Sequence, residues 1–222
     1  MTMDYRDVDQ LIEEGEGFEV EFKRKVSSPE KIARALAAFA NTRGGHILFG
    51  VDDDGSVVGV ESEKSEVDLI VTAGTSFCVP PVQPEIDIVA YDGLDVIVAY
   101  VPESSLKPHL YTGLNGQGDP GTRVYIRIKD KTVMASREVV KVLRDERPDA
   151  PPLRMEFGQN ERRLFAYLDG HERITAKEYS ELVNISERRA SRILAGLVRA
   201  GVMRIHTMER SAYFTLAYDL PA

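Results

Sequence analysis

Apolar residues recur along this chain with two periods, and the period changes mark its elements. From Glu19 to Lys23, Val20 and Phe22 alternate with charged neighbours, which predicts a short strand. Ser28 then offers a helix cap and Pro29 sits at the first helical position. Ile32, Leu36, Phe39 and Ala40 recur at helical spacing, so the helix is expected to run to about Thr42, where Gly44 and Gly45 end it. His46 to Val51 reads as a buried strand. Asp52-Asp53-Asp54-Gly55 is turn chemistry, with Val57 to Val60 pairing back as a hairpin. A second helix is expected over Ser65–Ser76. Gln83–Ala90 and Leu94–Val101 flank Tyr91-Asp92-Gly93 as another hairpin, and Arg123–Ile128 with Thr132–Ala135 makes a third. Ser136 caps a helix to about Arg147. Helices mixed with antiparallel hairpins predict an α+β fold.

Pro148, Pro151 and Pro152 then stop helix and stiffen the chain, dividing it into a mixed domain (1–147), a linker (148–154) and a second domain (155–222). In the second domain Asn160 is positioned to cap a helix carrying Leu164, Phe165 and Leu168. Thr175 and Glu178 have the spacing of a capping box for the next, which carries Tyr179 and Leu182 inward. After a turn at Asn184-Ile185, Ser186 caps a third helix, Glu187 to Ala200, closed by Gly201. Its inner face is Ala190, Ile193, Leu194, Leu197 and Val198, and its outer face Arg188, Arg189, Ser191, Arg192 and Arg199. Val202–Met208 and Ala212–Leu216 form a hairpin around Glu209-Arg210. Two helices joined by a short turn, basic residues early on the second, and a hairpin after it are the pattern of a winged helix-turn-helix. In that pattern the second helix enters the DNA major groove. The expected DNA contacts are Arg188, Arg189, Ser191, Arg192 and Arg199 on the helix, with Arg204, His206 and Arg210 on the wing. The alternative use is pairing of subunits, with the arginines as a solvated face.

The net charge of −8 argues against a nucleic-acid partner, but its distribution changes that. Residues 153–222 carry eleven Lys/Arg against nine Asp/Glu, so the acidic excess lies before them. One cysteine, Cys78, makes no internal disulfide, and with four scattered histidines it leaves no cysteine-based zinc site. No apolar run reaches membrane-spanning length, and the acidic N-terminus lacks a signal-peptide core, so a cytoplasmic location is expected. No GxxxxGK[ST] is present, so P-loop ATP hydrolysis is not expected. The glycine-rich run 113–119 is expected to be a mobile loop, and Lys107 and His109 before it are in reach of a phosphate.

Two stretches carry a family pattern: EGFEVEFKRK from Glu16, and ALAAFANTRGGHILFGVDDDGSVVG ending at Gly59. With a weaker YIRI strand at Tyr125–Ile128, they resemble the Schlafen/AlbA-like DNA-binding domain family over residues 10–145. The resemblance implies an α+β nucleic-acid-associated domain, often followed in prokaryotic members by a winged helix and described as transcriptional regulators. It also implies a second chemistry. Vertebrate Schlafen proteins have a three-carboxylate RNase site, and the matching positions are Glu16, Glu21 and Asp52 or Asp53, with Gly17 standing where relatives often have Ser. Three convergent carboxylates (Glu16, Glu21 and Asp52) would hold Mg²⁺ or Mn²⁺, which activates water. No other cofactor is expected. The structural alternative pairs Glu21 with Lys23-Arg24-Lys25 and leaves the aspartates as turn formers. The expected function is therefore DNA-binding transcriptional regulation, with metal-dependent RNase activity and subunit pairing as alternatives. A homodimer is expected, because a single winged helix reads too few base pairs for a genome.

Overall fold

Asp4 starts the first element. Its carboxylate accepts the backbone N–H groups of Arg6 and Asp7, and its own N–H donates to the Asp7 carboxylate at 2.8 Å. This capping box opens α1 (Tyr5–Glu14), which buries Val8 and Leu11 and was not among the elements expected from sequence. The structure is a computed structural model that describes residues 3–26, 28–113, 123–147, 150, 158–208 and 211–217. The chain divides into two compact units, Met1–Met134 and Ala135–Ala222.

In the first unit, β1 (Val20–Lys23) leads through α2 (Pro29–Ala40) to β2 (Gly44–Phe49), which lies parallel to β1. The Ser28 hydroxyl accepts the Lys31 N–H, so the cap of α2 is as expected. After α3 (Glu63–Ser76) and the short β3 (Cys78–Val79) come β4 (Glu85–Tyr91) and β5 (Leu94–Pro102). Asp92 and Gly93 both take positive φ (47° and 82°), which is the two-residue turn an antiparallel hairpin favours. The sheet order is β1-β2-β5-β4. One face carries Ile47, Phe49, Ile97, Ala99 and Val101, packed with Ile32, Leu36 and Phe39 of α2 and Ile70 of α3. The other carries Val20, Phe22, Leu48, Val89, Val96 and Val98, packed with Val8 and Leu11 of α1. A second sheet, of order β3-β6-β7-β8, adds β6 (Leu110–Tyr111), β7 (Arg123–Ile128) and β8 (Lys131–Met134).

The hairpin expected at Val57–Val60 does not form. Val51 and Val57 make a single bridge. The N–H groups of Val58 and Gly59 both turn to the Gly50 carbonyl (2.8 and 3.0 Å), and that of Val60 goes to Asp95. With its donors spent on a crossing point, the segment has none left for a ladder. The run 114–119, expected to be mobile, lies outside the described residues.

In the second unit, α4 (Arg137–Asp145) packs on α7 (Glu187–Arg199), although sequence grouped it with the first domain. Of the expected linker 148–154, only Ala150 is among the described residues. Helix α5 (Gln159–Leu168) begins one residue before Asn160. Gly158 is its cap, and the Glu161 carboxylate accepts the Gly158 N–H at 2.8 Å, so Asn160 sits inside the first turn. Thr175 and Glu178 form the expected capping box at the start of α6 (Ala176–Val183). Asn184 (φ 54°) ends α6, and Ser186 caps α7. The antiparallel pair β9 (Met203–Thr207) and β10 (Ala212–Leu216) follows, and Ile174, just before α6, bridges to Phe214. Leu164, Ile174, Tyr179, Ala190, Leu194, Leu197 and Phe214 are fully buried together as the core of this unit. No helix among the described residues is long and apolar enough to cross a membrane.

Candidate functional site

Helix α7 presents its cations early. Arg188, Arg189 and Arg192 are exposed, and Arg199 near the C-terminal end is half-buried. The exposure follows from the period of the helix, since Ala190, Leu194 and Leu197 point into the core and leave these positions outside. Ser191 corrects the expectation. It was placed on the outer face with the arginines, but it is only 2% exposed. Its hydroxyl donates to the Glu138 carboxylate at 3.0 Å and accepts from the Lys141 ammonium at 2.8 Å. Both partners belong to α4. Lys141 also lies 3.4 Å from the Arg188 carbonyl oxygen. Ala195, one turn beyond Ser191, is 1% exposed, so α7 has a second covered face beside its core face. Nothing in the sequence of α7 marks that face, because small residues there are equally compatible with solvent. Burial lowers the Lys141 pKa and Glu138 opposes this, while the nearby Arg188 and Arg192 lower it further.

On the hairpin, Arg204 is exposed. His206 faces its cross-strand partner Tyr213, with ring centroids 4.8 Å apart and planes 7° apart, and its Nε2 lies 2.9 Å from the Thr215 hydroxyl. The Arg173 guanidinium stands 5.1 Å from the Tyr213 ring centroid, a neighbour that no local pattern predicts. Arg210, expected on the wing, lies outside the described residues.

The carboxylates of the first unit are engaged separately. Glu21 is 6% exposed on β1. One of its oxygens meets the Lys23 ammonium at 2.6 Å and the other meets the guanidinium of Arg127 from β7. Arg127, whose side chain is 1% exposed, also donates to the Gly17 carbonyl (2.7 Å) and the Thr132 hydroxyl (3.2 Å) and sits 4.7 Å from the Phe39 ring centroid. Burial lowers the Arg127 pKa, opposed by Glu21 and then Glu16. Exposed Glu16 accepts the Phe22 N–H at 2.9 Å, which turns it back onto β1. Asp52 pairs with Arg24 and shapes its own turn, accepting the Asp53 N–H at 3.1 Å, and Asp53 is exposed. Among the described residues no three His, Cys, Asp or Glu side chains gather as a metal-holding group. Glu16, Glu21 and Asp52 therefore do not fit a shared divalent ion in this arrangement. The most buried of them already has two cations on its two oxygens, and a further cation would have to displace one.

The remaining motif residues are structural. The Asn41 side chain donates to the carbonyls of His109 and Tyr125 (2.9 and 3.0 Å) and accepts the His109 N–H (2.7 Å), stapling the end of α2 to the second sheet. Lys107 and His109 do not reach for phosphate. Lys107 is 7% exposed, with its ammonium on the Thr42 carbonyl and the Glu103 carboxylate. His109 is 3% exposed, with its ring between the Pro80 carbonyl and the Ser104 hydroxyl. At Gly45 (φ 146°) a Cβ would lie 2.4 Å from the Glu19 carbonyl oxygen and 2.6 Å from the Phe39 ring, so the Gly-Gly pair is required by close packing.

No curated protein matches the chain in sequence. Among solved structures, a Corynebacterium diphtheriae protein (DIP2311) is similar at 19% identity and a TM-score of 0.46. That match covers 67% of this chain, which spans about a third (32%) of the other. The N-terminal domain of a Nitrosomonas europaea protein, named only as related to the ATP-dependent DNA helicase RecG, is similar at 24% identity and a TM-score of 0.41. That match covers 59% of this chain and 95% of the other. Residues 16–136 match the Schlafen AlbA_2 domain, and that stretch holds β1, the Glu21–Arg127 pair, the Asn41 staple and both sheets of the first unit. With more than half of its residues in that match, the chain belongs to the Schlafen AlbA_2 family.

Proposed function

We propose that this protein binds duplex DNA as a transcriptional regulator, reading it with a winged helix-turn-helix formed by α5–α7 and the β9–β10 hairpin. The observation that carries this is the exposure of Arg188, Arg189 and Arg192 on the N-terminal half of α7, directly after the Ser186 cap. That is the part of a recognition helix that meets base edges, and Arg is the side chain best matched to guanine O6 and N7. The short turn at Asn184–Ser186 holds α6 and α7 together, and the hairpin supplies Arg204 beside Tyr213 and His206 for the DNA backbone. Membership in the Schlafen AlbA_2 family supports nucleic acid as the partner. The RNase alternative gains no such support, since Glu21 is held by Lys23 and Arg127 and Asp52 by Arg24. The active species is proposed to be a homodimer, so that two copies of α7 read two half-sites.

The test is selection of duplex sequences with the full chain, followed by binding of the selected site to Arg188→Ala/Arg192→Ala. The double variant should lose about 1–3 kcal/mol for each base contact removed, with its melting temperature nearly unchanged because both side chains are exposed. No selected sequence, or equal affinity in the variant, would overturn the reading and leave subunit pairing as the use of this unit.

A further inference from the structure

Helix α4 lies against α7 on the flank marked by Ser191 and Ala195, held by a polar seam in which Glu138 and Lys141 share the Ser191 hydroxyl. If α7 reads the major groove, the position of α4 has a consequence. The groove is about 12 Å wide and admits one helix. Packed helices lie about 8–10 Å apart, axis to axis. A helix beside α7 therefore cannot share the groove and falls over a flanking phosphate ridge. An acidic surface there would repel the duplex, and a neutral one would add nothing to binding.

The outward surface of α4 carries a row of three cations, with Asp145 near its C-terminal end. Arg137, Lys141 and Arg144 stand at i, i+4 and i+7, one stripe on a helix of 3.6 residues per turn. Arg137 and Arg144 are exposed, one turn to either side of Lys141. Lys141 joins the stripe to α7, with its ammonium at the Arg188 carbonyl and the Ser191 hydroxyl and its charge acting on Arg188 and Arg192. Glu138 is committed to Ser191 on the flank.

We infer that α4 is part of the DNA interface, with the exposed Arg137 and Arg144 contacting duplex backbone phosphates beside the groove that α7 enters, while Lys141 between them holds α4 to α7. This rests on α7 being the recognition helix. The seam then has a defined role. It fixes the stripe at a constant distance from α7, so that base reading and phosphate contact occur in one register. The contacts are independent of sequence, since phosphates carry none.

The experiment uses the full chain and two duplexes of about 20 base pairs, the selected site and a mixed sequence, with affinity measured from about 50 to 200 mM salt. Each phosphate contact contributes about 0.9 to the slope of log affinity against log salt. Arg137→Ala/Arg144→Ala should lower that slope by about one to two. It should weaken both duplexes alike, by several-fold at about 0.1 M salt, and leave the preference between them unchanged. Ser191→Leu, which wedges the seam apart with no change of charge, should weaken binding as well. Unchanged slope and affinity in the arginine pair, while Arg192→Ala still loses the selected site, would overturn this inference and leave the recognition helix standing. A gain of affinity on loosening the seam would also overturn it, because α4 would then be blocking DNA. If Arg188→Ala/Arg192→Ala loses nothing, the recognition-helix reading fails first and this inference with it. Circular-dichroism melting of each variant establishes that it is folded.

Discussion

Replacing Arg127 by Met tests whether the Glu21–Arg127 pair holds the two sheets of the first unit together. The guanidinium side chain is 1% exposed and Glu21 6%, so neither can turn to water when its partner is lost. Breaking a buried pair by removing one member costs about 3–5 kcal/mol, because the other charge stays behind uncompensated. Lys23 moderates this, since it remains 2.6 Å from Glu21 and is 36% exposed. The Gly17 carbonyl and the Thr132 hydroxyl each lose a donor, which adds to the loss. The expected cost is therefore about 3–5 kcal/mol, a large part of a typical domain stability of about 5–15. Glu21→Leu alone should cost a similar amount, by stranding Arg127. The double variant should cost about 2 kcal/mol or more less than the sum of the two. The assay is urea unfolding of the full chain, followed by hydrogen exchange at β1 and β7 amides, because two units need not unfold in one transition. A loss under about 1 kcal/mol for Arg127→Met, or strict additivity, would refute the reasoning.

Further outcomes follow from the same geometry. Gly45→Ala should destabilise the first unit by about 2–4 kcal/mol, since its Cβ would lie 2.4 Å from the Glu19 carbonyl oxygen at a φ of 146°; a melting temperature equal to wild type would contradict this. Burial holds the His109 pKa below its ordinary 6.5, so this residue's contribution to stability is full above pH 6.5 and is lost as pH falls through the lowered folded value. His109→Gln should flatten the acid side of the stability–pH curve, and an unchanged slope would count against it. With millimolar Mn²⁺ the full chain should leave labelled RNA intact; metal-dependent cleavage abolished by Glu21→Gln would show that the Lys23 and Arg127 pairing opens. Sedimentation at micromolar concentration should give a homodimer, and a species of the 24.8 kDa chain mass both free and on DNA would exclude it.

The sequence by itself determined most of the elements, because their causes are local. Ser28, Thr175-x-x-Glu178 and Ser186 start helices through hydrogen bonds that span three residues. Asp92-Gly93 makes a hairpin because both residues tolerate positive φ. The alternation of Val20 and Phe22 with charged residues places the first strand. The family pattern reaches further, since VEFK and AFANTRGG lie within the matched stretch. Tertiary structure decided what each polar residue faces. Glu21 has the same local sequence whether it binds a metal or a guanidinium; what settles it is Arg127, 106 residues away. Asn41 is a motif residue by pattern and a staple only because the His109 and Tyr125 carbonyls come to it. Val57–Val60 is a strand by composition, but the Gly50 and Asp95 carbonyls take its donors. Ser191 is the clearest case. Helical period fixes which side of α7 it occupies, but whether that side is wet depends on a second helix about fifty residues earlier in the chain, and side-chain burial is a property of the assembled surfaces that no local pattern encodes.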